Sequence, residues 1–600
     1  MTDNISGGAN ANMEAIAERS DKRLSRSLNT WDLLFLSLGG IIGSGWLFAA
    51  YAASSIAGPA AIISWIIGGI IVLIIALNYA ELGAMIPRSG AIVRYGQYSH
   101  GNLAGYFLAW AYFLSAVSVP AIEAEAVVEY AAPYINNLYN GVVLLPLGIL
   151  FAILLMVLFF FLNYWGIRVM GKTNSGMTWW KMVLPIITII VLVSVRFDIS
   201  NFVHLYSLTT VVNGNTIPGA TTTSGFMPYG FSPVMSAVAT SGIVFSFLGF
   251  RQGLDYGGET RTPQRSIPIA TIFSVLIGIG IYVLLQVAFI GAINFSALGI
   301  HQGQWNLLGS FSFITANSGY ITKSIADLNS APFASIASSV GLVMLTYVLF
   351  ADAYVSPSGT LNVYLGTSMR TLYGTAAMGY LPESMMKIHP KRRIPVLPLV
   401  VSLIVGIIFF APFPSWYKLV GFITSATVFT YLVGGPALRS LRRNAKELKR
   451  PFSLPGSFIL APLAFIGASL VVYWSGWPLV GELAIAIYVG LVVYVIFYLR
   501  RRKTNQVDKK IHTREFVKSG IWVPVYIVVL SIESYLGEAA LGGSNIVPYP
   551  YDLIMVIIVA IVFYFWAERS GIRTEEITEI VNLDSQYIKP EENEFGSGAR

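Results

Sequence analysis

Cysteine is absent and histidine nearly so: the 600 residues hold no Cys and five His. Disulfides, thiolate metal sites and cysteine nucleophiles are therefore excluded, and five scattered histidines make no metal cluster. Charge is scarce too, at 11% Asp, Glu, Lys and Arg, where soluble chains carry about 25%. Also missing are a Gly-x-x-x-x-Gly-Lys-Ser/Thr phosphate loop, a Gly-x-Ser-x-Gly elbow and a His-Glu-x-x-His pair. The sequence thus offers no ATP-driven step and no hydrolytic constellation, and neither a cofactor nor an enzyme is expected. What remains is apolar. With 55% hydrophobic residues and a mean hydropathy of +0.66, the chain reads as a polytopic membrane protein.

From Leu33 onward, apolar runs approach the ~20 residues that cross a bilayer. There are fourteen, at 31–53, 58–84, 103–130, 142–164, 176–196, 233–256, 267–292, 336–366, 394–412, 416–438, 457–476, 480–499, 519–536 and 551–567. The Lys and Arg positions test this count, because short cytoplasmic loops carry the excess. With the N-terminus inside, all but five of the 38 Lys and Arg fall in the connections and tails that are then cytoplasmic. The five are Arg196, Lys323 and Lys418 on the outward side, and Lys181 and Arg251 within spans. The expectation is an all-α protein of about fourteen transmembrane helices in the plasma membrane, with both termini cytoplasmic. Clusters such as Arg439–Arg450 and Arg500–Lys518 then face anionic lipid, which accounts for the net charge of +8 without a nucleic-acid partner.

Spans one to five overlay on spans six to ten: the first of each set carries a glycine break and the third is unusually long. A five-span unit must re-enter the membrane in the opposite sense, so the two units are inverted. The expected plan is a polar, then basic tail (1–28), a first five-helix repeat (29–196) and an extracellular loop (197–232). A second repeat (233–438), a basic cytoplasmic loop (439–456), four further helices (457–567) and an acidic tail (568–600) follow. No cleavable signal pattern precedes Trp31. Apart from Glu533 the last four helices carry little intramembrane charge, and read as a peripheral scaffold or an oligomer surface; the oligomeric state is left open.

The first span contains Gly39-Gly40-Ile41-Ile42-Gly43-Ser44-Gly45-Trp46. An unpaired backbone group in hydrocarbon costs roughly several kcal/mol, so a run this rich in glycine is tolerable only where protein or a polar ligand surrounds it. Unwinding near Gly43–Gly45 leaves an outer half-helix whose free N–H groups and positive dipole end suit a carboxylate. Ser44 adds a hydroxyl, and the glycines allow close approach. Gly39-x-x-x-Gly43 also fits a simple close helix crossing. In span six, Phe245-Ser246-Phe247-Leu248-Gly249-Phe250-Arg251 has one glycine in a bulky run. If it unwinds, its carbonyls can accept an ammonium group, with Phe245 and Phe247 flanking a side-chain pocket. A continuous helix with Gly249 as a packing residue is the alternative.

At this point the chain resembles the amino acid–polyamine–organocation (APC) permeases. Gly40-Ile-Ile-Gly-Ser-Gly45, Tyr79-Ala-Glu-Leu-Gly83, Pro87-Arg-Ser-Gly90 with Tyr95, and Gly249 carry the likeness. So do Glu259-Thr-Arg-Thr-Pro263, Ser266-Ile-Pro268, Arg370, Met378-Gly379, Leu381-Pro382 and Arg450-Pro-Phe-Ser-Leu-Pro455. These motifs run in the family's order over residues 31–456. The resemblance implies a five-plus-five inverted-repeat (LeuT-like) core with substrate held between spans one, three, six, eight and ten. It implies that Ile42, Gly43, Ser44 and Gly45 meet the substrate carboxylate, and that the carbonyls of Ile41, Phe245 and Leu248 meet its amino group. Ser246, Phe247 and Gly249 complete the expected binding residues. Two departures stand out: the stretch after Pro87 lacks the family's double glycine, and Arg251 stands where some relatives carry an acid.

Coupling rests on intramembrane charge, which costs roughly 2.5–3.5 kcal/mol at mid-membrane and so marks a task. Lys181 in span five matches a lysine that replaces a sodium ion in several relatives; the other reading is that it snorkels to the boundary. Asp352 in span eight is a proton acceptor or a partner of Arg251 or Lys181. Glu123 is a further candidate, although Glu123 and Glu125, two apart, face nearly opposite sides of a helix and are expected in a solvated outer vestibule. Glu81 and Glu259 read as structural, with Arg88 and Arg261 as partners. The expected function is secondary active uptake of neutral, apolar amino acids by alternating access, coupled to protons or else to sodium. The alternative is an exchanger of amino acids or polyamines. A sensor lacks the folded cytoplasmic domain it would need, and no repeated pore motif points to a channel.

Overall fold

The computed structural model describes residue 24 and residues 26–140, 143–165, 167–203, 211–212, 215–216, 225–298, 300, 302–308, 323–411, 414–503 and 515–572. Most of the expected N-terminal and acidic C-terminal tails, parts of loop 197–232 and part of the 500–518 basic stretch lie outside these residues.

The first apolar run forms two helices, α1 (Thr30–Ile41) and α2 (Ser44–Ala57). Its start is set by a capping box: the Asn29 side chain accepts the Trp31 and Asp32 N–H groups at 2.8 and 3.0 Å, while the Asp32 carboxylate accepts the Asn29 N–H at 2.9 Å. These bonds satisfy donors that a helix N-terminus otherwise leaves open. There follow α3 (Ala61–Met85), α4 (Ala91–Ala131), α5 (Pro146–Tyr164) and α6 (Ile167–Val195). The next broken run is α7 (Phe231–Thr240) and α8 (Ile243–Phe247), which tightens into a 3-10 turn at Leu248–Arg251 and ends in α9 (Gln252–Asp255). Then come α10 (Pro263–Ala292), α11 (Val343–Ala377), α12 (Val396–Ile408), α13 (Trp416–Tyr431) and α14 (Gly434–Asn444). The chain closes with α15 (Ser457–Trp474), α16 (Leu479–Lys503), α17 (Trp522–Leu536) and α18 (Tyr551–Ser570). Among the described residues, strand structure is limited to an antiparallel pair, Val211–Val212 with Asn215–Thr216.

By length and composition, nine helical segments among the described residues can cross a membrane, or ten if the bent pair Phe231–Thr240 and Ile243–Asp255 is one span. Thr30–Ile41, Val396–Ile408 and Leu479–Val493 are apolar but shorter.

The centre of the molecule is α4. Its 41 residues correspond to about 60 Å at 1.5 Å per residue, about twice the hydrocarbon thickness. Gly101 breaks it with φ 77°, a left-handed conformation open to glycine. Beyond that turn it packs along α11 and α13 and is buried almost throughout. The faces of α5 and α18 that point away from the bundle instead carry exposed Leu, Ile, Val and Phe such as Leu154, Phe161, Ile558 and Val562, as contact with lipid tails demands.

Candidate functional site

The break in the first run is short and its geometry is specific. Ile42 leaves helical space at φ −84°, ψ 87°, and Gly43 follows at φ −124°, ψ −141°. A continuing helix would have paired the last carbonyls of α1 and the first amides of α2; here side chains take that place. The Gly39 carbonyl accepts both Lys181 Nζ (2.7 Å) and Thr360 Oγ1 (2.8 Å), and Lys181 Nζ also donates to Thr360 Oγ1 at 2.8 Å. The Ile41 carbonyl accepts the Tyr282 hydroxyl at 2.7 Å. Across the gap, the Ser44 N–H donates to Glu123 Oε2 at 2.8 Å, and Trp416 Nε1 donates to Ser44 Oγ at 2.7 Å. A lysine thus sits at the C-terminal end of one half-helix and a glutamate at the N-terminal end of the other, residue types whose charged forms both helix dipoles favour.

The second break differs from expectation. The run bends by 46° between α7 and α8, at Ser241–Gly242, where Gly242 takes φ 92°; Ile243–Phe247 stays helical and only Leu248–Arg251 tightens. Gly249 is a packing glycine: a Cβ there would overlap the backbone of Gly40 and Ile41. The two breaks lie together. A Cβ on Gly45 would strike the Ser246 hydroxyl, one on Gly40 would come 3.1 Å from Gly249 Cα, and one on Gly43 would lie 2.7 Å from Glu123 Oε1.

Ile41, Ile42, Gly43, Ser44, Gly45, Phe245, Ser246, Phe247, Leu248 and Gly249 are all buried, but Phe245 and Phe247 do not flank one pocket. Phe245 meets Trp416 edge-on at 6.1 Å, whereas Phe247 packs on Trp65 and Tyr282 at 5.8 and 5.4 Å. Residues two apart on a helix point to different sides.

The charged candidates separate as well. Lys181 is fully buried and bound as above, so it does not snorkel. Asp352 Oδ1 accepts Trp180 Nε1 and Ser356 Oγ, each at 2.7 Å; neither Arg251 nor Lys181 lies within ion-pair distance. Glu123 and Glu125 are fully buried instead of lining a solvated vestibule, because α4 runs through the middle of the bundle at this level. Glu123 Oε1 and both Glu125 carboxylate oxygens lack a hydrogen-bond partner. Glu129, one turn further, accepts the Trp416 N–H at 3.0 Å. Thr360, Tyr282, Trp416 and Glu129 were missed from the sequence, since nothing in their local spacing marks them; only the fold brings them to the break.

The structural acids find other partners than those expected. Glu81 accepts Arg442 Nε at 2.8 Å and the Leu454 N–H at 2.6 Å. Glu259 takes a bidentate bond from Arg370, Nε at 2.5 Å and Nη2 at 3.0 Å. Arg88 and Arg261 are close in sequence, but the planar forks of Arg442 and Arg370 arrive from other helices.

These features define a class: a multi-pass helical membrane protein with two interrupted helices in contact, the first with its backbone ends held by a buried lysine and a buried glutamate. The chain belongs to the amino acid permease family, whose sequence model matches residues 32–441. It is therefore a multi-pass plasma-membrane protein and a transporter, not an enzyme. It is 38% identical over 573 residues to the glutamate/serine transporter AimA of Bacillus subtilis (strain 168), covering 94% of this chain and 98% of that one. The aspartate-proton symporter of the same organism is 34% identical over 91% of this chain and 97% of its own length. Its branched-chain amino acid permease BcaP is 24% identical over 82% and 97%.

Proposed function

We propose that the chain imports polar amino acids, acidic ones included, by alternating access in symport with protons. The observation that carries this is the pair of adjoining breaks, where Gly43–Gly45 and Ser246 offer backbone groups and a hydroxyl to a zwitterion's carboxylate and ammonium. Fourteen spans with both ends cytoplasmic, in two inverted halves (29–196 and 233–438) followed by four helices (457–567), suit the basic-residue distribution and this pairing of breaks. The reading toward neutral, apolar substrates rested on Phe245 and Phe247 together and loses that support, since Phe247 turns away. The names of the glutamate/serine transporter and the aspartate-proton symporter favour polar cargo instead. Proton coupling draws on the latter and on three buried ionisable side chains, Glu123, Lys181 and Asp352, around the first break.

The test is uptake by purified protein in proteoliposomes. Labelled glutamate, aspartate, serine and leucine are offered under an imposed proton gradient, an imposed sodium gradient, or with internal unlabelled substrate only. Accumulation driven by an inward proton gradient is expected. Uptake that requires internal substrate and ignores both gradients would identify an exchanger and overturn the symport reading.

A further inference from the structure

Arg251 is a buried cation left half-bonded. It is fully buried, two residues past Gly249, with its guanidinium held between the rings of Tyr112 and Tyr364 at 4.8 Å from each centroid. Nη1 donates to Ser115 Oγ at 2.9 Å. Nε and Nη2 have no acceptor, and no carboxylate oxygen of the described residues lies within 4.0 Å. Asp255, four residues on, accepts the Tyr112 hydroxyl on Oδ2 and keeps its Oδ1 without a hydrogen-bond partner, beyond ion-pair distance of Arg251. Arg370, by contrast, is held bidentately by Glu259.

A buried guanidinium with two adjacent open N–H groups presents the edge that a carboxylate takes bidentately, and leaving it unpaired is costly. Resting on the transporter reading above, we propose that Arg251 pairs with the side-chain carboxylate of an acidic amino acid whose backbone groups lie at Gly43–Gly45 and Ser246. The reach is compatible. Ser246 and Arg251 are five residues apart, roughly 8–10 Å along a segment rising 1.5–2.0 Å per residue. A three-bond side chain and the arginine stem together are of that length. A dicarboxylic substrate brings a carboxylate to the open Nε–Nη2 edge of Arg251; a neutral one leaves that edge unpaired. Selectivity then follows from the desolvated charge rather than from shape.

The experiment uses the full chain in proteoliposomes carrying labelled serine, or labelled aspartate should serine not be carried. Displacement by glutamate, glutamine and glutamate γ-methyl ester is compared. In the unaltered protein glutamate is expected to displace the label roughly tenfold to a hundredfold better than the amide or the ester, the range for a hydrogen-bonded charge. In Arg251→Gln that advantage collapses, and Arg251→Lys, which keeps the charge without the fork, falls between. Equal displacement by all three compounds in the unaltered protein overturns the proposal, and this comparison needs no variant to fold. Equal weakening of all three in Arg251→Gln also overturns it, assigning Arg251 a structural role. Carriage of neutral but not acidic amino acids sinks this assignment alone, whereas no carriage of any amino acid sinks the transporter reading beneath it.

Discussion

Glu123 Oε2 accepts the backbone N–H of Ser44 at 2.8 Å. The helix end that the sequence reserves for a substrate carboxylate therefore holds a carboxylate of the protein itself. A carboxylate arriving at the same amide meets Glu123 as a like charge in a desolvated site, where one of two such groups is driven to take up a proton. Substrate arrival and proton uptake are linked if Glu123 yields the amide as it is neutralised.

That linkage predicts the behaviour of Glu123→Gln. The amide oxygen still caps Ser44, but the like-charge conflict and the titratable group are gone. Substrate affinity should stay within about threefold or tighten, a change of under about 1 kcal/mol, while accumulation driven by a pH gradient disappears and exchange persists. Equilibrium binding and gradient-driven uptake, measured side by side, check it. Full pH-driven accumulation by the variant would remove Glu123 from the coupling step.

The glycines of the breaks separate binding from folding. A side chain at Gly45 projects first onto the Ser246 hydroxyl and one at Gly43 onto the Thr360 and Glu123 side chains, all around the gap. Gly45→Val should lose amino acid binding and still elute as a monodisperse protein. At Gly249 the added carbon meets main-chain atoms of Gly40 and Ile41, which cannot rotate aside. Gly249→Ala should therefore cost about 1–3 kcal/mol or more of stability, read as a lower melting temperature. Retained binding in Gly45→Val would show that ligand does not approach the first break.

Much of this was legible in the chain because it follows from local chemistry. Glycine in hydrocarbon located the first break to within a residue or two, and the apolar runs anticipated the helices around it. In the second run Gly249, the conspicuous glycine, serves close packing, whereas Gly242 carries the left-handed turn amid small polar neighbours that look unremarkable. Sequence proximity points Glu81 and Glu259 to nearby arginines, yet their partners, Arg442 and Arg370, lie 361 and 111 residues away. Glu123 and Glu125 were assigned to a vestibule because helix length alone does not reveal that α4 passes between α11 and α13. Charge position along a span was readable, but what surrounds it was not.

Lys181 and Thr360 act on one oxygen. Both contact the Gly39 carbonyl and each other, so their removal should be non-additive. Lys181→Ala and Thr360→Val are each expected to abolish proton-driven uptake. In a double-mutant cycle on thermal stability their coupling should fall between about 0.5 and 3 kcal/mol. Additivity within a few tenths of a kcal/mol would mean that the two groups do not share the end of α1 in the folded protein. Full uptake by Lys181→Ala would withdraw the lysine from coupling altogether.

The two acid–arginine clusters should rank by burial. Glu259 and Arg370 expose 1% and 4% of their side chains, and the guanidinium also lies 3.9 Å from the centre of the Tyr256 ring and donates to the Gly366 carbonyl at 2.8 Å. Removing the acid alone strands a buried cation, a loss of about 3–5 kcal/mol, so Glu259→Gln should express poorly or melt far below the parent. Arg442, by contrast, is 24% exposed, and water can re-solvate it once Glu81 is neutral, so Glu81→Gln should be the milder change. Exchanging the first pair as Glu259→Arg with Arg370→Glu should not rescue, because Tyr256 and Gly366 are arranged for a guanidinium on α11. Removing both charges with Glu259→Gln and Arg370→Met should recover more stability than the exchange, since it leaves no buried ion. Melting temperatures of the four variants in one detergent decide the order, and a Glu259→Gln protein as stable as Glu81→Gln would refute it.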